Sequence, residues 1–235
     1  MRRHRQRLVV LGTAAALFAP HIGASAADQT LAETLAKMDQ FASNFRTLSA
    51  DIARVSHMDV LHEDTTDKGT IQVKRSRPKD LHVRIEVSEP NPQVAVVGGT
   101  KVQIYYPRSG EIQRYDLGHE KSLVDQLLSL GFGGNSRELL SAYSVKLGGP
   151  ETIGGQRTTR LELTPKTQDM GTRTKRIDLW ISDQAGYTVQ QKFFQPANDY
   201  SLITYTNVKT NPTISDSDFE LKVPKGTKRD TPIKR

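Results

Sequence analysis

The side chains able to do acid–base or metal chemistry are few and scattered along this chain of 235 residues. The six histidines are His4, His21, His57, His62, His82 and His119. None stands in an HExxH or HxH arrangement, the spacings that bring two imidazoles to one metal ion. His57, His62 and His82 could meet only through the fold, and exposed strand and loop positions account for them. His62-Glu63-Asp64 with Asp67 has the composition of a hard-cation loop and equally that of a solvated turn. Asp216 and Asp218 alternate with Ser215 and Ser217 just before Phe219, as in a capped loop. No GxSxG elbow or P-loop occurs. Gly131-Phe132-Gly133-Gly134 lacks the Lys-Ser/Thr of a phosphate loop and reads as a helix terminator or hinge.

The chain has no cysteine. That removes disulfides, thiolate metal sites, thiol nucleophiles and a lipidated N-terminal Cys. No enzyme activity and no cofactor are expected. One dense basic run stands out beyond the N-terminal head, Lys74-Arg75-Ser76-Arg77-Pro78-Lys79. It follows a strand-like pattern and ends at a turn proline. It reads as a solvated hairpin, as an arginine that hydrogen-bonds a neighbouring loop or helix through its rigid fork, or as a phosphate contact.

The elements that position these residues begin after an export signal. Residues 1–7 are basic, residues 8–19 are apolar, and Ala24-Ser25-Ala26 supplies a small-residue cleavage site before Ala27. The apolar run falls short of the roughly 20 residues that span a bilayer. The formal net charge is +7, and Arg2, Arg3, Arg5 and Arg7 supply four of those charges. The mature chain is therefore near +3, too weak a charge to argue for nucleic acid. Residues 27–235 are expected to form one soluble, monomeric domain.

Periodicity then changes along the chain. Over residues 30–47, Leu31, Leu35, Met38, Phe41 and Phe45 recur at steps of three and four, the apolar face of one helix. Beyond it the period is two. Ile71 and Val73 alternate; Leu81, Val83, Ile85 and Val87 alternate strictly against His82, Arg84 and Glu86; Val102, Ile104 and Tyr106 follow. Residues 119–142 interrupt with a short leucine-rich helix and a helical turn opened by Ser136. Strands resume at residues 143–147, 157–164, 175–182, 188–194, 201–208 and 219–223, and residues 224–235 read as a frayed basic tail. The turns between these strands imply a largely antiparallel meander. About a dozen strands with two or three helices predict a mainly β protein with helices, α+β in class. The expected form is a strongly curved antiparallel sheet, an unclosed half-barrel covered by a helical lid, able to hold an apolar ligand.

The order of several short motifs resembles the LolA family, periplasmic carriers of outer-membrane lipoproteins. Leu48-Ser49-Ala50 leads into the first strand. Gly69-Thr-Ile-Gln-Val-Lys-Arg-Ser-Arg77-Pro78 is similar to the family's glycine, strand and Lys-Arg-Pro. Val96-Val97-Gly98-Gly99-Thr100-Lys101-Val102 with Tyr105-Tyr106-Pro107, Leu161-Glu-Leu-Thr-Pro165-Lys166, and Asp218-Phe219-Glu-Leu-Lys-Val-Pro224-Lys-Gly226 follow in the family's order. The resemblance implies a hydrophobic cavity that takes acyl chains from an inner-membrane ATP-driven transporter and delivers them to an outer-membrane acceptor. The cargo is an acylated lipoprotein or another lipid; a sensor or adaptor on the same scaffold is the alternative. The acceptor member is anchored through a Cys, which this chain lacks.

In the family the motif's arginine hydrogen-bonds the lid. Two extra residues split the motif here. Counting from Gly69 selects Arg75; anchoring on Pro78 selects Arg77, which is favoured because it stays beside the proline. Lid candidates are Leu31, Leu35, Met38, Phe41 and Phe45, with Leu123, Leu127 and Leu128. Lining candidates are Val83, Ile85, Val102, Ile104, Leu161, Leu163, Ile177, Leu179 and Ile181.

Overall fold

The computed structural model describes residues 29–77, 80–118, 130, 132–167, 174–224 and 227–229. Helix α1 spans Leu31–Asn44. Thr30 opens it with a capping box: its hydroxyl accepts from the Glu33 backbone N–H, and the Glu33 carboxylate accepts from the Thr30 N–H at 2.8 Å. Two otherwise orphaned donors of the first turn are thereby satisfied. Thr34, Met38 and Ala42 form its fully buried stripe.

Eleven strands follow in two meanders joined at the first. β1 (Thr47–Met58), β2 (Glu63–Arg77), β3 (Asp80–Glu89), β4 (Gln93–Gly98), β5 (Lys101–Tyr106) and β6 (Glu111–Asp116) form one set. Helix α2 (Ser136–Ala142) leads into β7 (Tyr143–Ile153), β8 (Gln156–Pro165), β9 (Arg176–Ser182), β10 (Thr188–Phe194) and β11 (Tyr200–Thr210). β11 returns to pair antiparallel with β1, so β1 carries β2 on one side and β11 on the other. A two-residue strand, β12 (Lys228–Arg229), lies parallel to β6. This pair belongs to the tail expected to fray. The expected strand at residues 219–223 is absent. A 3-10 turn at Asp216–Phe219 stands there, capped by Ser215, and an extended segment follows.

The mainly β reading with two described helices holds, but the expected strongly curved half-barrel does not. The twelve strands lie in a single line, β12-β6-β5-β4-β3-β2-β1-β11-β10-β9-β8-β7, and the sheet is open, neither strongly curved nor closed. Shared burial comes instead from covering one face. The helices supply that cover, and side chains at alternate strand positions meet them.

The inner face, under α1, holds two apolar clusters. The first joins Met38, Leu139 and Tyr143 to Leu161, Leu163, Ile177, Leu179 and Ile181. The second joins Phe45 and Phe132 to Leu48, Ala50, Ile71, Val73, Leu81, Val83 and Tyr205. α1 thus bridges both halves of the sheet, its first turns over β8–β9 and its end over β1–β3. On the opposite face of β3–β4, Ile214 and Phe219 pack on Val96.

Candidate functional site

Arg75 continues the inward column Ile71, Val73 on β2 and meets the end of α1. Its Nη1 donates to the Ala42 carbonyl at 2.8 Å, and its Nη2 donates to the Gly133 carbonyl. The guanidinium also lies 5.0 Å from the Phe45 ring centre. One side chain of the sheet therefore binds both the last turn of α1 and the loop before α2. Burial pushes its pKa below the usual arginine value; Arg46 pushes the same way and Glu138 opposes. It stays charged, because arginine does not deprotonate in proteins.

Gly133 makes this contact possible. Its φ is +86°, a region that favours glycine, and a Cβ there would collide with the Arg75 guanidinium and the Phe45 ring. The two helices are also tied to each other. Asp39 of α1 accepts from Ser136 N–H through Oδ1 and from Ser136 Oγ through Oδ2, both at 2.6 Å. Asn135 caps α2 by accepting from Glu138 N–H at 2.9 Å. A pocket of about 570 Å³ opens beside Arg75, lined by Asp39, Ala42, Leu81, Asn135, Ser136 and Glu138 among others. At the other end of α1, Lys37 Nζ and Gln29 Nε2 both donate to the Asp183 carbonyl.

The sequence candidates fall into three groups. Met38, Phe45, Val83, Leu161, Leu163, Ile177, Leu179 and Ile181 are buried, the five β8–β9 residues being at most 1% exposed. Leu31, Leu35, Phe41 and Ile85 are partly buried against the same clusters. Val102 and Ile104 are half-buried on β5, in register with Val97 and Ala95 and hence on the inner face. Leu123, Leu127 and Leu128 lie outside the described residues. Arg77 is exposed at the end of β2, past a break in the β2–β3 register between Arg75 and Arg77.

Pattern reading missed the acceptors Ala42 and Gly133, the Asp39–Ser136 tie and the buried Phe132. Only the glycine run pointed toward that loop. It also missed a set of partly buried inner-face residues next to the second cluster: Ile52, Val97 and Ile203. With Ile85, Val102 and Ile104 they extend the apolar face beyond the most deeply covered core.

The histidines do not gather. His57 is held by Asp64 at 2.7 Å and stacks on Tyr200; the Asp64 hydrogen bond lifts its pKa above the usual histidine value, against burial, with help from Asp59. His82 packs edge-on to Phe219. His119 lies outside the described residues. Among the described residues no group of three or more His, Asp or Glu could hold a metal ion.

Residues 43–222 match the family described as outer membrane lipoprotein carrier protein LolA. The chain belongs to the LolA family. No curated protein matches it. Among solved structures, an uncharacterized conserved protein from Thermus thermophilus is 10% identical with a TM-score of 0.54, covering 86% of this chain and 99% of its own. The Mycobacterium tuberculosis lipoprotein LppX is 18% identical with a TM-score of 0.46, covering 80% and 100%. A chain of the Pseudomonas aeruginosa MucA/MucB complex is 13% identical with a TM-score of 0.48, covering 81% of this chain and 61% of that one. This chain thus spans less than two thirds of the length of the last. The Thermus structure supports the fold. The LolA family is one of periplasmic, non-catalytic carriers, so the chain is a periplasmic lipid-binding carrier rather than an enzyme.

Proposed function

We propose that the protein carries the acyl chains of lipoproteins across the periplasm, from an inner-membrane ATP-driven transporter to an outer-membrane acceptor. In this reading residues 1–26 are the export signal, and the mature protein works as a soluble monomer. The observation that carries the proposal is Arg75, which fastens α1 and the Gly133 loop over an apolar sheet face. A carrier needs such a cover. Each CH₂ kept from water is worth about 0.8 kcal/mol, so acyl chains cannot cross the periplasm exposed. The cover must also release. A cargo held too tightly would not pass to the acceptor, so the closed and open states must lie close in free energy. A few hydrogen bonds to backbone carbonyls give an adjustable closure of that kind.

The test is native mass spectrometry of the protein purified from its own periplasm without detergent. A bound mass matching a triacylated lipoprotein, absent from a variant with Ile85 and Ile203 changed to Asp, is the expected result. A bound phospholipid alone would replace lipoprotein as the cargo. A protein that leaves the periplasm empty and takes up no triacylated lipopeptide in vitro would defeat the proposal.

A further inference from the structure

The apolar column on β1 and β2 is bounded at both ends by arginines. In register, the inward pairs are Leu48 with Val73, Ala50 with Ile71, Ile52 with Gly69, and then Arg54 with Asp67. Ile203 of β11 faces Arg54 from the other side. From Arg75 to Asp67 the column runs about 26 Å at ~3.3 Å per residue. One leaflet of a bilayer core is about 15 Å deep. With the cover over its Leu48–Val73 end open, an acyl chain lying along this column fits between the two arginines, and its polar end comes to rest at one of them.

The two arginines differ in what they have left to offer. Arg75 spends both Nη atoms on the Ala42 and Gly133 carbonyls. Arg54 places Nε, at 3.0 Å, and Nη2 on one oxygen of Asp67, Oδ2. Its Nη1 is bonded to none of the described residues. The Arg54 side chain is 42% exposed, whereas that of Asp67 is 18% exposed. The guanidinium is therefore the accessible half of a pair that sits where the apolar column ends.

We propose that the Arg54–Asp67 pair is the subsite for the polar end of the cargo and takes neutral carbonyl acceptors in preference to phosphate. The proposal rests on the carrier reading above. A free arginine grips phosphate with two parallel N–H donors. Here the Nε–Nη2 edge is already occupied, and the carboxylate beside it repels a second anion. Nη1 keeps donors for single acceptors, such as the ester and amide carbonyls that join acyl chains to an N-terminal residue. The pair thereby sorts acylated polypeptide from the far more abundant anionic phospholipid.

The experiment is competition native mass spectrometry on the full-length secreted protein. The probes are a synthetic tripalmitoylated Cys-Ser peptide and dioleoyl phosphatidylglycerol. The wild type is expected to favour the lipopeptide at least tenfold. Asp67→Asn frees the fork and should raise phosphatidylglycerol binding about tenfold; Arg54→Gln should weaken the lipopeptide about tenfold, the worth of one charge-assisted hydrogen bond. The Arg54→Gln/Asp67→Asn double variant should gain nothing for phosphatidylglycerol. If the variants melt like the wild type and keep its preference, the pair merely closes the sheet end and the subsite is wrong, while the carrier reading stands. If the wild type takes neither probe, the carrier reading fails and the subsite with it. Should Asp67→Asn fail to fold, an unchanged lipopeptide affinity in Arg54→Gln overturns the proposal by itself.

Discussion

At the scale of the residue, Arg75 and Arg77 share one strand parity but stand on either side of a break in the β2–β3 register. Strand alternation puts Arg75 on the face of Ile71 and Val73, and from there it reaches two carbonyls that the helical segments leave open. Arg77 lies past the register break and is exposed. The motif's proline drew attention to Arg77; the parity of Ile71 and Val73 is shared by both arginines, and only the register break between them separates Arg75 from Arg77. Hydrogen bonds from a charged donor contribute roughly 1.5–3 kcal/mol each. Replacing Arg75 with Leu should therefore favour opening of α1 by about 3 kcal/mol, on the order of a hundredfold. Hydrogen exchange by mass spectrometry should show α1 amides exchanging about a hundredfold faster in Arg75→Leu, with β8 and β9 still protected. Arg75→Lys should fall between, because an ammonium cannot span both carbonyls as the planar fork does. Arg77→Leu should match the wild type. An effect of Arg77→Leu as large as that of Arg75→Leu would return the anchoring role to the proline-adjacent position.

At the scale of the element, α1 and α2 are joined by two hydrogen bonds from Ser136 to Asp39. Asp39 serves the N-terminal turn of α2 from a different helix, an assignment no local pattern in residues 136–142 could reveal. Asp39→Ala should lower the melting free energy by about 1 kcal/mol, the usual worth of a capping side chain. Its diagnostic effect lies in coupling: amides of α1 and α2, which should open with one free energy in the wild type, should separate into two exchange classes. Identical classes in the variant would show that contacts with the sheet, not Asp39, unite the helices. Helix α1 itself was legible in sequence because its apolar steps of three and four mark one face. β3, with Leu81, Val83, Ile85 and Val87, was legible for the same reason at period two. β1 was not, since Arg54 sits inward in its column and Val55 outward, which erases the alternation. The segment after Asp218 read as a strand from Phe219, Leu221 and Val223, yet the Ser215–Asp218 capping box holds a 3-10 turn at its start and the strand does not form. Curvature was beyond reach altogether. Alternation reports which face is buried and turns report which strands adjoin, but neither says whether the edge strands meet.

At the scale of the whole molecule, the open sheet separates two faces with different duties. The cover lies on the inner face, where the proposed carrier would also hold its cargo. The outer face of β7–β9 is held by charge: Arg160 bridges Glu151, Glu162 and Asp178, and Trp180 donates to Glu151 at 2.8 Å. Trp180 is the one tryptophan of the chain. It alternates with Leu179 and Ile181 and so points away from α1. Loading should therefore be almost silent in tryptophan fluorescence, even though it reorganises the inner face. It should not be silent in stability. Any ligand that binds only the folded state adds about 2.7 kcal/mol at a hundredfold excess over its Kd. For a chain of this size that raises Tm by about 5–10 °C. A calorimetric scan with the tripalmitoylated peptide should show this rise, with the tryptophan emission maximum shifting by less than about 2 nm because the environment of a side chain on the opposite face is unchanged. A large blue shift with the same rise in Tm would place the acyl chains against Trp180. The outer face would then be the carrying surface, and the cover formed by α1 and α2 would need another purpose.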